Sequence, residues 1–129
     1  MKKLFLLACL VLSGCAVTHE PSETNQLVTN IVVPLPPEQS YKNLVRSAKE
    51  KCFPLTIDAQ FYSNTNAGDV SLISQFDGQS RIVWMNIGIN PMNQDSAVTL
   101  QYRGKKNEFI EPTIKWLNGQ DAKCPINMR

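Results

Sequence analysis

The sequence predicts an α+β domain: an antiparallel sheet of four to five strands with two helices packed on one face, in the order β-α-β-β-β-β-α. Three observations carry this. Apolar residues alternate with polar ones along 55–62 and 97–103, the period of a half-buried strand. Apolar residues recur instead at helical spacing after Pro37 and after Phe109. Between these runs lie turn formers, Pro34-Leu35-Pro36-Pro37, Asp77-Gly78 and Asn118-Gly119 among them. No internal repeat and no second domain interrupt the order.

Leu27 to Val33 (LVTNIVV) is β-branched and apolar, and the prolines that follow stop it as a strand. Pro37 suits a helix's first turn, and Tyr41, Leu44, Val45, Ala48 and Cys52 share one face of that helix. Lys42, Arg46 and Lys49 fall on another face, with Glu38 and Glu50 interspersed, as an ordinary solvated face has. Leu55, Ile57, Ala59 and Phe61 then alternate with Thr56, Asp58, Gln60 and Tyr62. Val70 to Phe76 is the next strand, and Asp77-Gly78 signals a two-residue hairpin turn. That turn sets Ile73 opposite Ile82, Leu72 opposite Val83, Ser71 opposite Trp84 and Val70 opposite Met85.

Arg81 to Asn90 is a strand, broken by Asn90-Pro91-Met92-Asn93, and Ala97 to Arg103 is the next, with Val98, Leu100 and Tyr102 inward. Phe109, Ile110, Ile114 and Leu117 give a last helical face. Proline deep in a helix costs about 3 kcal/mol, so Pro112 places that helix's start near Ile110.

Ahead of this domain the chain reads differently. Lys2 and Lys3 precede an apolar run, Leu4 to Leu12, far short of the ~20 residues that span a bilayer. Leu12-Ser13-Gly14-Cys15 follows and resembles the lipobox of bacterial lipoproteins. The resemblance implies a signal peptide over 1–14 and acylation of Cys15. Cys9 is a competing position, but cleavage there leaves an apolar run of only Leu4 to Ala8. Several acyl chains, at about 0.8 kcal/mol per buried methylene, hold a protein durably on a membrane. Ala16 stands where an inner-membrane retention signal carries Asp, which by family analogy implies the periplasmic face of the outer membrane. Residues 15–26 are polar and read as a flexible tether, leaving 27–129 as the domain.

The formal charge of +2 rests on the two leader lysines; without them eleven basic residues balance eleven acidic ones. A neutral chain is a poor electrostatic partner for nucleic acid. In an oxidising compartment the remaining pair, Cys52 and Cys124, reads as a disulfide. An unstrained bridge over so long a loop is worth about 4 kcal/mol in the chain-entropy model. Two buried thiols or a metal pair are the alternatives, and no histidine lies near either cysteine.

No phosphate loop, nucleophile–base set or Cys/His metal pattern is present in the sequence. The one histidine, His19, lies in the tether segment. Neither catalytic residues, nor a metal, nor a cofactor are expected. The expectation is a non-enzymatic binding or assembly module, membrane-held through its lipid and docking an envelope protein. An inhibitor of a cell-wall hydrolase such as lysozyme is the second class, and an envelope enzyme the third. Tyr62, Ile73, Ile82 and Trp84 on the sheet face away from the helices form the expected partner surface. The lipobox predicts that a Cys15→Ser chain leaves the membrane fraction and incorporates no labelled palmitate. A serine variant still found wholly in membranes contradicts it.

Overall fold

A computed structural model describes residues 26–74, 81–103 and 106–126. Five strands and two helices follow in the expected order. They are β1 (Gln26–Val33), α1 (Pro37–Lys51), β2 (Thr56–Tyr62), β3 (Ala67–Ser74), β4 (Ile82–Met92), β5 (Asp95–Arg103) and α2 (Lys106–Leu117). All pairings are antiparallel and the sheet order is β1-β5-β4-β3-β2. The segments assigned to the leader, the Cys15 anchor and the Asp77-Gly78 turn lie outside the described residues.

Alternation decides which face is covered. Val70 and Leu72 of β3, Met85, Ile87 and Ile89 of β4, and Val98, Leu100 and Tyr102 of β5 are all buried beneath the helices. From α1 come Leu44 and Ala48, and from α2 Phe109, Trp116 and Leu117. Two aromatic contacts lock the layers together. Tyr102 stacks on Phe109 with ring centroids 5.3 Å apart, and Tyr41 of α1 tilts onto Phe61 of β2 at 5.2 Å. Gly68 makes the second contact possible, because a Cβ there would stand 2.8 Å from the Tyr41 ring.

Polar groups buried at the layer boundary are satisfied, as burial demands. Ser96 donates its hydroxyl to the Leu35 carbonyl at 2.7 Å. Its single proton being used there, Ser96 accepts from Ser40 of α1 at 3.2 Å. Asn43 of α1 donates to the Leu117 carbonyl at 3.1 Å and accepts from Gln39.

That carbonyl belongs to a helix end of defined shape. Gln120 N–H reaches the Lys115 carbonyl and Gly119 N–H the Trp116 carbonyl, a Schellman motif with Gly119 at φ +81°. The Asn118-Gly119 stop expected from sequence is therefore present. Trp116 donates its indole N–H to the Ala122 carbonyl, and the chain returns along α1 so that Cys124 bonds to Cys52. Beside this bridge Lys51 and Asp121 pair at 2.9 Å on the surface. The contact holds the Asp121 carboxyl below, and the Lys51 ammonium above, their usual ranges. Whatever the pair contributes is present at neutral pH. It fades in acid as pH falls through the depressed Asp121 pKa, and in strong base as pH rises through the raised Lys51 pKa.

Three expectations need correction. The last helix begins at Lys106 rather than near Ile110, and Pro112 sits in its interior. Pro112 cannot donate to the Glu108 carbonyl, but Glu108 is exposed to solvent, which lessens the cost of the missing bond. Thr113 meanwhile returns its hydroxyl to the Phe109 carbonyl at 2.7 Å. Pro91-Met92 does not break β4; Met92 pairs with Asp95 and the chain turns at Asn93-Gln94, with Asn93 at φ 58°. The β3–β4 register also differs. Ile73 pairs with Val83 and Ser74 with Ile82, whereas Leu72 pairs with Met85, so Trp84 is an extra residue bulged out of the ladder.

Replacing Asn43 with Ala strips a partner from the Leu117 carbonyl and should lower unfolding stability by about 1–2 kcal/mol. Chemical denaturation of the Asn43→Ala protein measures this; an unchanged midpoint shows that the bond contributes nothing net.

Candidate functional site

Both helices lie on one side of the sheet, and among the described residues no element covers the opposite face. Its residues are set by the strand registers. One row runs Asn30, Thr99, Gly88, Asp69, Gln60 across β1, β5, β4, β3 and β2. The next runs Val28, Gln101, Asn86, Ser71, Asp58. Gly88 lacks a side chain at the centre, so the two rows enclose a shallow depression of about 450 Å³. Asp69, Ser71, Asn86, Thr99 and Gln101 line it.

Hydrogen bonds fix several of these side chains. Thr99 donates to the Asn30 carboxamide oxygen at 3.0 Å, and Ser71 donates to that of Asn86. The Asn86 and Asn30 oxygens are thereby engaged, leaving their amide nitrogens as donors for a ligand. Asp69 and Asp58 supply acceptors at the β2–β3 side. The floor is thus a mixed donor–acceptor surface of amides, hydroxyls and carboxylates. Among the described residues no group of three His, Cys, Asp or Glu side chains gathers to hold a metal.

The flank at β1 has another character. Val28 and Val32 project from the same open face and are each 57% exposed, and Leu27 is 42% exposed. The eight residues of β1 carry no charge, and its outer edge has no neighbour in the sheet order. An apolar patch thereby adjoins a polar floor.

The residues expected to form a partner surface do not come together. Tyr62 ends β2, 40% exposed, at the opposite end of the sheet from Ile82. Ile73 is only 2% exposed and cannot be reached by a partner. Ile82 is 39% exposed and pairs with Ser74 rather than Ile73. Trp84 packs against the core and donates its indole N–H to the Ser74 hydroxyl at 3.0 Å. The bulge is the cause: it offsets β4 by a residue, turning Trp84 out of the open face. Cys52 and Cys124 are joined, as noted above, and Cys15 lies outside the described residues.

Sequence reasoning placed Ser71, Thr99 and Gln101 on the open face but passed over Asp69, Asn86 and Gly88. A signal was available in Gly88, an isolated glycine within a strand pattern, which marks a close approach or a gap.

No family model matches the chain, and no curated protein matches it. A solved structure with a comparable chain path is the crystal structure of Ara h 8.0201, at 11% identity and a TM-score of 0.44. It spans 73% of this chain and 94% of its own. A likeness so loose carries no functional argument.

Trp84→Ala should therefore act on stability, costing about 2 kcal/mol for a half-buried indole that loses packing and a hydrogen bond. Thermal unfolding checks it; an unaltered Tm would return Trp84 to the surface.

Proposed function

We propose that this chain is a lipid-anchored envelope protein that works as a non-enzymatic binding module, held at the periplasmic face of the outer membrane through Cys15. Its partner docks on the open face of the sheet. One observation supports this above others: a five-stranded face that no described element covers, on which a polar floor adjoins the exposed Val28 and Val32. Interfaces combine an apolar centre with a hydrogen-bonding surround in this way. A partner lying across β1 and β5 buries both valines and meets Asn30, Thr99 and Gln101 at their margin. Rigid strands rather than loops carry these groups, so little ordering entropy is lost on association.

Site-specific crosslinking tests the assignment. A photoreactive residue at Gln101 should capture a defined envelope protein in intact cells, and one at Arg46, exposed on the helix side, should not. Substituting Val28→Lys together with Val32→Lys should reduce the Gln101 adduct at least tenfold. Both positions are exposed, so stability should stay within about 0.5 kcal/mol. Equal capture from Gln101 and Arg46 refutes the open face as the docking surface.

A further inference from the structure

One end of the sheet gathers features that the open face does not use. Gln26 pairs with Arg103 there, and Thr56 pairs with Ile73, so β1 and β2 both begin at this end. The chain leading from Cys15 therefore enters the domain where α1 finishes and hands over to β2. Between α1 and β2 stands Phe53, 80% exposed, the most exposed of the large apolar side chains among the described residues. Arg103 ends β5, Arg81 precedes β4, and Lys51 and Lys123 adjoin the bridged cysteines. All four are exposed. Among the described residues of the adjoining segments the carboxylates are Glu50, Glu108 and Asp121, and Asp121 is engaged with Lys51.

An exposed aromatic at the same end of the sheet as several cations suits the boundary between phosphate headgroups and acyl chains, where the ring enters and the cations stay with phosphate. The dimensions agree. β1 and β2 are the two edges of a five-stranded sheet, about 19 Å apart at ~4.8 Å per strand. The ten residues 16–25 extend to at most ~36 Å. An anchor at Cys15 and a contact at Phe53 thus reach the same patch of one bilayer.

We infer that Phe53, together with Lys51, Arg81, Arg103 and Lys123 at the same end of the domain, forms a second membrane contact, docking this end onto an anionic phospholipid surface. The inference rests on the lipid anchor proposed above. The contact stands the strands on end over the membrane. It points the 63–66 and Asn93-Gln94 turns away, and keeps the open face clear of lipid at the side. Anchoring supplies a high local concentration, so a single aromatic and a few cations suffice where neither would bind alone.

The test uses the mature acylated chain in phosphatidylethanolamine vesicles with phosphatidylglycerol and brominated acyl chains. Phe53→Trp and Tyr62→Trp place an indole at opposite ends of the domain, against the same background of Trp84 and Trp116. Emission from the Phe53→Trp chain should shift to the blue and be quenched at least twofold more than that from the Tyr62→Trp chain. Replacing phosphatidylglycerol with phosphatidylcholine should shrink the difference. Equal quenching at the two positions, or none at 53, overturns the contact. Intact mass of the same samples reads the anchor separately. An acylated chain with an unquenched indole at 53 removes the contact and keeps the anchor, whereas a chain without acyl groups removes both.

Discussion

Neighbouring residues of a strand point to opposite faces, and along β3, β4 and β5 only one of the two sets is strongly apolar. Everything else in the fold answers to that constraint. Helices must lie where Leu72, Ile87 and Leu100 need cover, so α1 and α2 share one side. Sharing a side brings them together, and Asn43 of α1 can then serve the carbonyl end of α2. The polar side is left to solvent or to a partner. No covering element has to be absent for a special reason; the alternation alone leaves that face bare.

The same constraint makes the bulge at Trp84 consequential. One additional residue in β4 exchanges inward for outward from that point on. Val83, which uniform alternation aims at the core, instead faces Ile73 across the ladder. Trp84 moves the other way and packs inward. Asn86 stands opposite Ser71, where a ladder continued from Ile73–Val83 without the extra residue would set Met85. The depression on the open face therefore owes its chemistry to a single irregularity some distance along the strand.

Element order, the covered face, the paired cysteines and the Asn118-Gly119 stop were all legible in the residues, because each has a local cause. Alternation shows in eight residues, a helix face in twelve, a glycine stop in two. Register is another matter. A hairpin's pairing read from Asp77-Gly78 is correct only while both strands stay regular, and nothing near Val83 or Trp84 announces the extra residue. The ladder is shifted by one residue already at Ser74–Ile82 and by a second at the Trp84 bulge, and the two together take Ile73, Ile82 and Trp84 out of the pairing that the turn implied. Pro112 is a second case: the general cost of an interior proline argues for a start near Ile110. Yet the helix begins at Lys106, and the residue whose carbonyl loses its donor, Glu108, is exposed. Sequence reports the penalty, and tertiary context decides whether it falls due.

The bridge between Cys52 and Cys124 closes a covalent ring that takes in β2, β3, β4, β5 and α2. β1 and α1 hang from the ring at Cys52, on the side of the amino terminus. A protease that nicks either exposed hairpin, at 63–66 or at Asn93-Gln94, opens the circle without dividing the molecule. Such a clipped chain keeps every strand attached to its amino-terminal end, and separates into two pieces only under a reductant.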